Sequence, residues 1–591
     1  MAEQKATTGR HSLAFWLGWG AILGLMYLYA LNPALRIPFV LDDHSKIVLN
    51  PDIRSLEGLW SKLIYPYGPH AVSTRNDPSR PLVYLIYTVL YSQWGASAFA
   101  FHVVNLILHG LCGCLVVLIL ADLLKKLGRG DQSLPLALIG GGFFLLTPIN
   151  TGTAAYIYGL SDVLSFFFIL LAMVFHGRQE KHPTASFFAI FAATSLALGA
   201  KQISVLVPCL LALVDGLASP TVFSQGRPRL FRRYVPSLMP VMLYLIGRYL
   251  YFGHIGDLEG TTHVKPLGFY LLAQAHAILH YVVASFVPVG LCLDHDLPHP
   301  PNDAAFHLVK LALLLGLFLV SAVLLWLRKE DPRARLALFG LFYVALWLAP
   351  TSSLMSTVDY MVERRIYGGS LGLSAILVAG VLGLYDHFGT KKYLGYGLSI
   401  GILLYGGLFA TLSHQRLSQM REEKALWQEV LRQYPMSYRA LGNLANAHIA
   451  EKNFASALNH YQKILEFLPD HATTYTNIAF VYAAVTSPLR DLEKAKTYLR
   501  QALNLDPKIA DAWQLLGLVV MEQGQIAEAE GYFRKSIEVD PRHVGAYNQL
   551  CALMLDQRRF DEARVYLEKA RSLVPAHPMV GENAQRLSEV Q

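Results

Sequence analysis

The chain has 591 residues, of which 53% are hydrophobic and only 16% are charged. This composition excludes a purely soluble protein and indicates an integral membrane protein. The formal net charge of +8 does not indicate nucleic-acid binding, because the basic residues cluster in short loops between apolar stretches. Five cysteines, four of them in or beside apolar stretches, form no disulfide framework.

The first apolar stretch, Leu13–Leu31, predicts a retained membrane span. Its length suits roughly 30 Å of hydrocarbon, and Asn32-Pro33 follows it where a signal peptide would have small residues at a cleavage site. Ten further apolar stretches bring the predicted spans to eleven. They are Ala98–Leu124, Leu134–Ile149, Asp162–Phe175, Thr184–Gly199, Ile203–Leu217, Val235–Phe252, His307–Leu327, Leu336–Ala349, Gly368–Tyr385 and Tyr393–Leu412.

Another apolar stretch, Phe269–Val287, carries Gln274, His276 and His280. We expect it to re-enter the membrane or to lie on its surface, because the basic loops then all share the amino-terminal side, as the positive-inside tendency requires. An ordinary span with buried histidines is the alternative. With an odd number of spans and a cytoplasmic amino terminus, everything after about residue 412 lies outside the cytosol.

Two adjacent carboxylates, Asp42 and Asp43, follow the first span at its non-cytoplasmic mouth. Charge at a membrane boundary is costly unless it is solvated, paired or used. A carboxylate there suits glycosyl transfer, in which a general base removes the proton of an acceptor hydroxyl as it attacks the anomeric carbon. A helix-capping or merely hydrated pair is the alternative.

The same loop continues with the apolar and aromatic stretch Leu82–Trp94. Its composition predicts a helix that lies in the membrane interface. Tyr84, Tyr87 and Tyr91 recur on it at helical spacing. We expect these tyrosines to be interface anchors and not a binding site.

Two adjacent arginines, Arg364 and Arg365, lie in the short loop between the ninth and tenth spans, which is predicted to be on the non-cytoplasmic side of the membrane. This position opposes the insertion preference of basic residues, which indicates a function. Guanidinium groups bind phosphate bidentately, and a polyprenyl-phosphate leaving group presents such a phosphate. Local pairing with Glu363 or Asp359 is the alternative.

The last part of the sequence has a tetratricopeptide period. Four prolines spaced by 38, 34 and 34 residues each follow an alanine by twelve residues. The prolines are Pro469, Pro507, Pro541 and Pro575, and the alanines are Ala457, Ala495, Ala529 and Ala563. Small alanines suit the contact of paired helices, and proline suits the end of the second helix. About four repeats would offer a concave face to an extended peptide or another protein, and a spacer or dimerisation element is the alternative.

These motifs together resemble the GT-C superfamily of membrane glycosyltransferases that use polyprenyl-phosphate sugars. Within it the sequence is most similar to the branch with carboxy-terminal tetratricopeptide repeats, which includes the TMTC protein O-mannosyltransferases. The resemblance covers nearly the whole chain. Its motifs are Phe39-Val-Leu-Asp42-Asp43, Arg80-Pro81-Leu82, Phe101-His102-Val-Val-Asn105, Pro350-Thr-Ser-Ser and Glu363-Arg364-Arg365-Ile366-Tyr367.

The resemblance implies an all-α protein, in which a GT-C helical bundle of about eleven spans is followed by a repeat solenoid. It implies an inverting transfer of one sugar, mannose by default, from a polyprenyl phosphate to an acceptor, with Asp42 favoured over Asp43 as the base. The residues expected to bind the donor phosphate are Arg364, Arg365, Arg80 and Lys201. The residues expected to bind substrate are His44, His102, Asp162, Glu363 and Tyr367.

We expect no obligatory cofactor, with the lipid-linked sugar as donor substrate, and no metal site. No clustered ligand spacing occurs in the sequence. Asp294-His295-Asp296 is the one candidate place for a metal, and we expect it to be a polar loop because three neighbouring residues do not easily face one ion. The expected domains are a transferase domain at 1–412, a linker helix at 413–435 and a repeat domain at 436–591.

The chain also departs from the family pattern at Thr147, Gly152 and Leu160. These departures support the alternative of a catalytically degenerate membrane scaffold, and a lipid or glycan acceptor is a further alternative to a protein hydroxyl. The expected partners are the lipid-linked sugar and an acceptor protein on the repeat face, without nucleic acid. The sequence has no Asn-x-Ser/Thr site, which favours a bacterial inner membrane with periplasmic repeats over an endoplasmic reticulum membrane with lumenal repeats.

Overall fold

The computed structural model describes residues 13–48, 50–54, 56, 79–218, 220–224, 226–253, 267–296, 304–352, 359–388, 392–574 and 578–589. Over these residues every regular element is a helix, which confirms the all-α prediction. The chain divides into two compact units, 1–422 and 423–591. Pro575, the fourth proline of the repeat pattern, is outside the described residues.

The first unit contains fourteen helices in the part of the chain that is described. They are α1 Leu13–Leu31, α2 Pro81–Trp94, α3 Ala98–Lys126, α4 Ser133–Leu146, α5 Pro148–Ala155, α6 Leu160–His176, α7 Pro183–Ala200, α8 Val207–Ala218, α9 Arg227–Phe252, α10 Leu267–Phe286, α11 Ala304–Leu327, α12 Pro332–Leu348, α13 Ser370–Phe388 and α14 Lys392–Gln419. Short 3₁₀ helices at Asn32–Arg36, Ile157–Gly159, Gln202–Leu206 and Glu363–Ile366 connect them.

Nine of the eleven predicted spans fall on one α-helix each, while Leu134–Ile149 runs across the bend between α4 and α5 and Ile203–Leu217 begins on a 3₁₀ helix before α8. Six described helices, in α3, α6, α7, α11, α13 and α14, are long and apolar enough to cross a membrane, as in a multi-pass membrane protein. A bent pair, Gly130–Leu146 and Pro148–Ala155, makes a seventh. The bend of 54° shortens the predicted span Leu134–Ile149, because Pro148 holds the preceding Thr147 in an extended conformation.

The bundle has two distinguishable ends. At one end, called the basic end, Arg129 between α3 and α4 donates two hydrogen bonds to Asp386 near the end of α13, at 3.1 and 2.8 Å. At the opposite end, called the site end, the Ser370 hydroxyl at the start of α13 donates to Asn150 Oδ1 at 2.9 Å. Both α4 and α12 end, and α13 begins, at the site end.

Both ends of α10 contact the site end. The Tyr270 hydroxyl near its start donates to the carbonyl of Thr351, just after α12. Near its end, the carbonyl of Ser285 accepts a hydrogen bond at 2.9 Å from the hydroxyl of Thr147, just after α4. A helix that crossed the bundle would have its ends at opposite sides, so this geometry agrees with the expected non-crossing segment.

The expectation that the tyrosines of α2 anchor the membrane interface is wrong for Tyr84 and Tyr87. Their side chains are only 2% and 0% exposed, and they pack in a core with Leu160 and Leu164 of α6. The Tyr87 hydroxyl also donates to the carbonyl of Ile157 at 3.1 Å. The α2 helix therefore belongs to the packed wall of the bundle, because tertiary contacts bury the face that sequence alone assigned to the interface.

The second unit is a solenoid of helix pairs. Its described helices are α15 Glu423–Gln433, α16 Tyr438–Ala450, α17 Phe454–Phe467, α18 Ala472–Ala483, α19 Leu492–Leu505, α20 Ala510–Glu522, α21 Ile526–Val539, α22 Val544–Asp556, α23 Phe560–Leu573 and α24 Pro578–Glu589. The four alanines of the repeat pattern are fully buried where paired helices touch. Extra residues of the second repeat, Thr486–Leu489, lie in the turn between α18 and α19, so they lengthen a connection without breaking a helix.

Candidate active site

Asp43 is anchored inside the bundle in the loop that follows α1. Its side chain is 0% exposed. The backbone N–H of Val40 donates to Oδ2 at 3.1 Å, and that of Tyr158 donates to Oδ1 at 2.9 Å. Burial raises the pKa of Asp43 to about 8 even though these two N–H groups favour the charged form. Asp43 therefore ties the loop after α1 to the segment between α5 and α6.

Asp42 lies beside Asp43 but is only half-buried. The Tyr156 hydroxyl donates to Asp42 Oδ2 at 3.0 Å. The preceding Leu41 has a left-handed backbone, with φ at +51°. Such a conformation costs a residue other than glycine about 1 kcal/mol or more, so surrounding contacts hold the turn that separates the two carboxylates. Asp42 is the one with both a polar contact and access to the surface.

The segment Tyr156–Gly159 carries the aromatic side of the site. The side-chain amide of Asn105 on α3 donates to the carbonyls of Tyr156 and Ile157, at 3.0 and 3.3 Å. The same carbonyls also accept the backbone N–H groups of Gly159 and Leu160, so the Asn105 amide adds a side-chain contact that ties this segment to α3. Both Tyr156 and Tyr158 are thereby fixed next to the aspartates.

Two arginines approach these tyrosines. The guanidinium carbon of Arg364 is 5.8 Å from the ring centre of Tyr156 and 6.0 Å from that of Tyr158. Arg80, which precedes α2, donates from Nη1 to the Tyr158 hydroxyl at 3.1 Å. Cations at this distance from aromatic faces are attracted to the ring quadrupole. The arrangement brings Arg80 and Arg364 from loops far apart in sequence to the side of Asp42.

Lys201 and Asp162 complete the charged group. Lys201 Nζ lies 2.5 Å from Asp162 Oδ1, and Arg364 Nε lies 3.9 Å from Asp162 Oδ2. Burial lowers the pKa of Lys201 to about 8 against the opposing effect of Asp162. Three basic side chains and three carboxyl groups, buried or half-buried, thus lie in one neighbourhood. Its members are Asp42, Asp43, Asp162, Arg80, Lys201 and Arg364.

Arg365 does not join this group, which corrects the idea of a two-arginine phosphate fork. Its guanidinium donates to the backbone carbonyls of Tyr360 at 3.0 Å and Asp359 at 2.7 Å. Its own carbonyl accepts from Trp347 Nε1 at 2.8 Å. Successive residues of the 3₁₀ helix Glu363–Ile366 point in different directions, so Arg365 closes its own loop while Arg364 faces the tyrosines.

Four other predicted site residues lie elsewhere. His44 is exposed. His102 is buried, with Nε2 2.9 Å from the carbonyl of Ile37, and Tyr367 is buried, with its hydroxyl 2.7 Å from His109 Nδ1. Glu363 belongs to a separate cluster, in which Oε2 accepts from Arg416 at 2.5 Å. Sequence order placed these residues near the motif, but helix periodicity and loop direction separate their side chains.

Sequence reasoning missed Tyr156 and Tyr158. In the sequence, two tyrosines separated by one residue near an apolar stretch could not be told from the tyrosines that are enriched at membrane interfaces. Only the fold shows that the Tyr156 hydroxyl and the Tyr158 backbone N–H bind adjacent aspartates. The available signal was their position six and four residues before Asp162 in the sequence.

The residues that depart from the family pattern have packing roles here. The Thr147 hydroxyl bonds to Ser285 of α10, and Leu160 is 1% exposed in the core. At Gly152 an added Cβ would lie 2.9 Å from Nη1 of Arg416. Thr147 therefore contacts α10, Leu160 packs in the core, and Gly152 leaves space for the Arg416 side chain. None of these three contacts involves the group around Asp42.

Comparisons with known proteins agree with this two-part organisation. Two family models, each described as tetratricopeptide repeat, match residues 422–472 with 489–544, and residues 520–581. Protein O-mannosyl-transferase TMTC4 of Mus musculus is 24% identical over 499 residues, covering 75% of this chain and 65% of that protein. Protein O-mannosyl-transferase TMTC1 of Homo sapiens is 26% identical over 495 residues, covering 75% of this chain and 54% of that protein.

The chain spans about half to two thirds of the length of these relatives. Among solved structures, ArnT from Cupriavidus metallidurans bound to undecaprenyl phosphate is 14% identical, with 84% of this chain and 89% of that chain covered and a TM-score of 0.39. The predicted resemblance is confirmed at the level of sequence: over three quarters of its length this chain is similar to the TMTC protein O-mannosyl-transferases, and its carboxy-terminal unit is built of tetratricopeptide repeats.

Proposed function

We propose that this protein is an integral-membrane glycosyltransferase that moves one sugar from a polyprenyl-phosphate donor to a protein hydroxyl on the extracytoplasmic side. The observation that carries the proposal is the half-buried Asp42, held by Tyr156 beside the Arg364 guanidinium. Mannose is the proposed sugar, because the relatives TMTC4 and TMTC1 are named protein O-mannosyl-transferases. A bacterial inner membrane with periplasmic repeats is the proposed setting.

Asp42 is proposed as the general base. Its carboxylate accepts the proton of the acceptor hydroxyl as the oxygen attacks the anomeric carbon, and the bond from that carbon to the donor phosphate breaks on the opposite side. One displacement inverts the anomeric centre. Asp43, buried and bound by two backbone N–H groups, positions the loop and does not touch substrate.

The cations of the site are proposed to hold the departing polyprenyl phosphate. Arg364 presents a guanidinium fork that matches phosphate oxygens, and Arg80 and Lys201 add two positive charges. Charge that develops on the leaving phosphate is stabilised best by groups already in place. Asp162 keeps Lys201 and Arg364 oriented when the donor is absent. No metal ion is proposed for this transfer step.

The repeat solenoid is proposed to recruit the acceptor protein. Tetratricopeptide arrays expose a concave face that binds extended peptides, and the pairs α16–α17 to α22–α23 form such an array. A scaffold without catalysis would bind partners with the same face. The transferase and scaffold hypotheses therefore differ only in whether the bound partner protein becomes glycosylated.

The test is mass spectrometry of extracytoplasmic glycoproteins from a deletion strain complemented with full-length variants. Wild type restores a hexose on specific serines or threonines, and Asp42→Asn does not. Asp131→Asn is the matched control, since Asp131 is exposed between α3 and α4 at the basic end. Wild-type glycosylation by a normally expressed Asp42→Asn protein refutes the assignment of Asp42 as the general base. Unchanged glycans in the deletion strain refute the transferase and favour the scaffold.

A further inference from the structure

A second buried cluster lies apart from Asp42, around Glu363. His295 Nε2 is 2.9 Å from Glu363 Oε1. His280 of α10 faces the same pair, with its ring centre 5.1 Å from that of His295. One ligand atom from each of the three residues lies within 4.8 Å of the others. Two imidazoles and one carboxylate therefore converge from three separate segments of the chain.

The Nε2 atom of His280 is buried and has no hydrogen-bond partner among the described residues. A buried polar atom without a partner costs about 1–3 kcal/mol. An imidazole with an unpartnered ring nitrogen, next to another imidazole and a carboxylate, has the chemistry of a metal ligand.

His295 is arranged as metal-binding histidines usually are. Its second ring nitrogen, Nδ1, lies 3.5 Å from Cys292 Sγ, and that thiol donates to the carbonyl of Asp294 at 3.2 Å. In the metal-free site a proton lies between Nε2 and Glu363 Oε1. When an ion takes its place, the sulfur is available to accept a proton on Nδ1, and the Nε2 lone pair is free to bind the ion. A hydrogen bond at the outer nitrogen fixes the tautomer in the same way at known metal sites.

The two carboxylate oxygens of Glu363 have different partners. Oε2 is bound by Arg416 of α14 at 2.5 Å, while Oε1 accepts from the backbone N–H of Cys292 at 2.9 Å and faces His295. These three contacts orient the carboxylate before any ion arrives.

We propose that His280, His295 and Glu363 bind one divalent transition-metal ion of the zinc class. Two imidazole nitrogens and one carboxylate oxygen are a donor set that zinc favours, with a fourth position left for water. The ion replaces the proton shared by His295 Nε2 and Glu363 Oε1. Ligand distances of about 2.0–2.2 Å require those two atoms to separate to roughly 3.3 Å, a shift of a few tenths of an ångström.

The site joins three segments that sequence places far apart. The ion links α10 and the loop at Cys292–His295 to the 3₁₀ helix Glu363–Ile366, in which Arg364 is the next residue after Glu363. Its role is to hold the segment that carries Arg364, not to act on a substrate. Of the stretch Asp294-His295-Asp296, only His295 contributes to the proposed site, and its partners come from elsewhere in the fold.

The test measures metal directly in the full-length protein in detergent. The protein is stripped with chelator, exchanged into Zn²⁺ or Co²⁺, freed of excess ion and analysed for metal content. We expect about one ion per chain, and visible Co²⁺ absorption bands of a low-coordinate nitrogen and oxygen site. His280→Phe keeps a ring in place, leaves the Arg416–Glu363–His295 contacts intact, and is expected to weaken binding by more than about 100-fold.

His276→Phe is the matched control, because His276 lies one turn earlier on α10 and is hydrogen-bonded to Lys310 at 2.7 Å instead of facing the cluster. Binding that survives His276→Phe and is lost in a monodisperse His280→Phe protein supports the site. Wild-type protein that retains no ion and gives no Co²⁺ bands refutes it without any variant. Equal metal content in wild type and His280→Phe also refutes it.

Discussion

Tyr156 donates its hydroxyl hydrogen to Oδ2 of Asp42 at 3.0 Å, across 114 residues of sequence. The backbone N–H of Tyr158 binds Asp43 Oδ1 at 2.9 Å in the same segment. One short connection between α5 and α6 therefore controls the orientation of both aspartates. The relationship gives each aspartate a different environment, with Asp43 enclosed and Asp42 half-buried.

Tyr156→Phe is expected to reduce turnover about tenfold, because one hydrogen bond to a charged carboxylate is worth roughly 1.5 kcal/mol. The donor KM is expected to change little, since the phenylalanine ring still faces Arg364. Initial rates with a purified polyprenyl-phosphate mannose and a peptide acceptor measure both constants. A donor KM that rises while turnover stays constant would contradict the role of Tyr156 in orienting the base Asp42.

Arg364→Ala and Arg365→Ala are expected to differ although the residues are adjacent. Arg364→Ala removes the guanidinium beside Tyr156 and raises the donor KM about tenfold or more, as loss of a charge-assisted contact does. Arg365→Ala removes the guanidinium that donates to the carbonyls of Asp359 and Tyr360, of which the second still accepts from Gln274 Nε2. It is expected to lower the thermal unfolding temperature and to change the donor KM by less than about twofold. Equal increases in the donor KM for the two variants would contradict this difference and would support a phosphate site made of both arginines.

The stability of the first unit is expected to fall as pH rises from about 5 to about 8. The pKa of Asp43 is raised to about 8 in the folded protein from its ordinary value of 3.8, so the folded state binds more protons in this interval and rising pH favours unfolding. Below pH 3.8 the carboxyl is protonated in both states, and the contribution is fully present.

Asp43→Asn cannot titrate, so its unfolding temperature is expected to depend less on pH over the same interval. The variant is less stable than wild type at pH 5 by about 1–3 kcal/mol, since its amide has one accepting oxygen for two backbone N–H groups and its NH2 group faces the other N–H. Thermal unfolding in detergent across this pH range measures both effects. Parallel pH profiles for the two proteins would contradict the buried titration of Asp43.

Gly517→Ala is expected to loosen the third repeat. Its added Cβ would lie 2.5 Å from the Phe533 ring, which is 0% exposed, and such overpacking costs about 1–3 kcal/mol. Gly442→Ala is the control, because nothing lies within 4 Å of its added Cβ and alanine in a helix is more favourable by about 1 kcal/mol. Hydrogen exchange of α20 and α21 in the full chain is expected to quicken only for Gly517→Ala.

The sequence alone was enough to predict the all-α class and the two-part organisation. Apolar stretches of membrane-spanning length can satisfy their backbone groups only as helices, and the spacing of Pro469, Pro507 and Pro541 repeats the contact of one helix pair with the next. These patterns are local or periodic, so each stretch carries its own signal. The same holds for Asp42 and Asp43, which stand out because charge is rare at such a position.

Only the tertiary structure decided which side chains share a site. Arg364 and Arg365 are indistinguishable by sequence, yet one contacts Tyr156 and the other closes its own loop. Glu363 is next to Arg364 in the chain, but it binds His295 and Arg416. The direction of a side chain in a short 3₁₀ helix depends on which helices pack around it, and that packing joins residues hundreds of positions apart, beyond the reach of any local pattern.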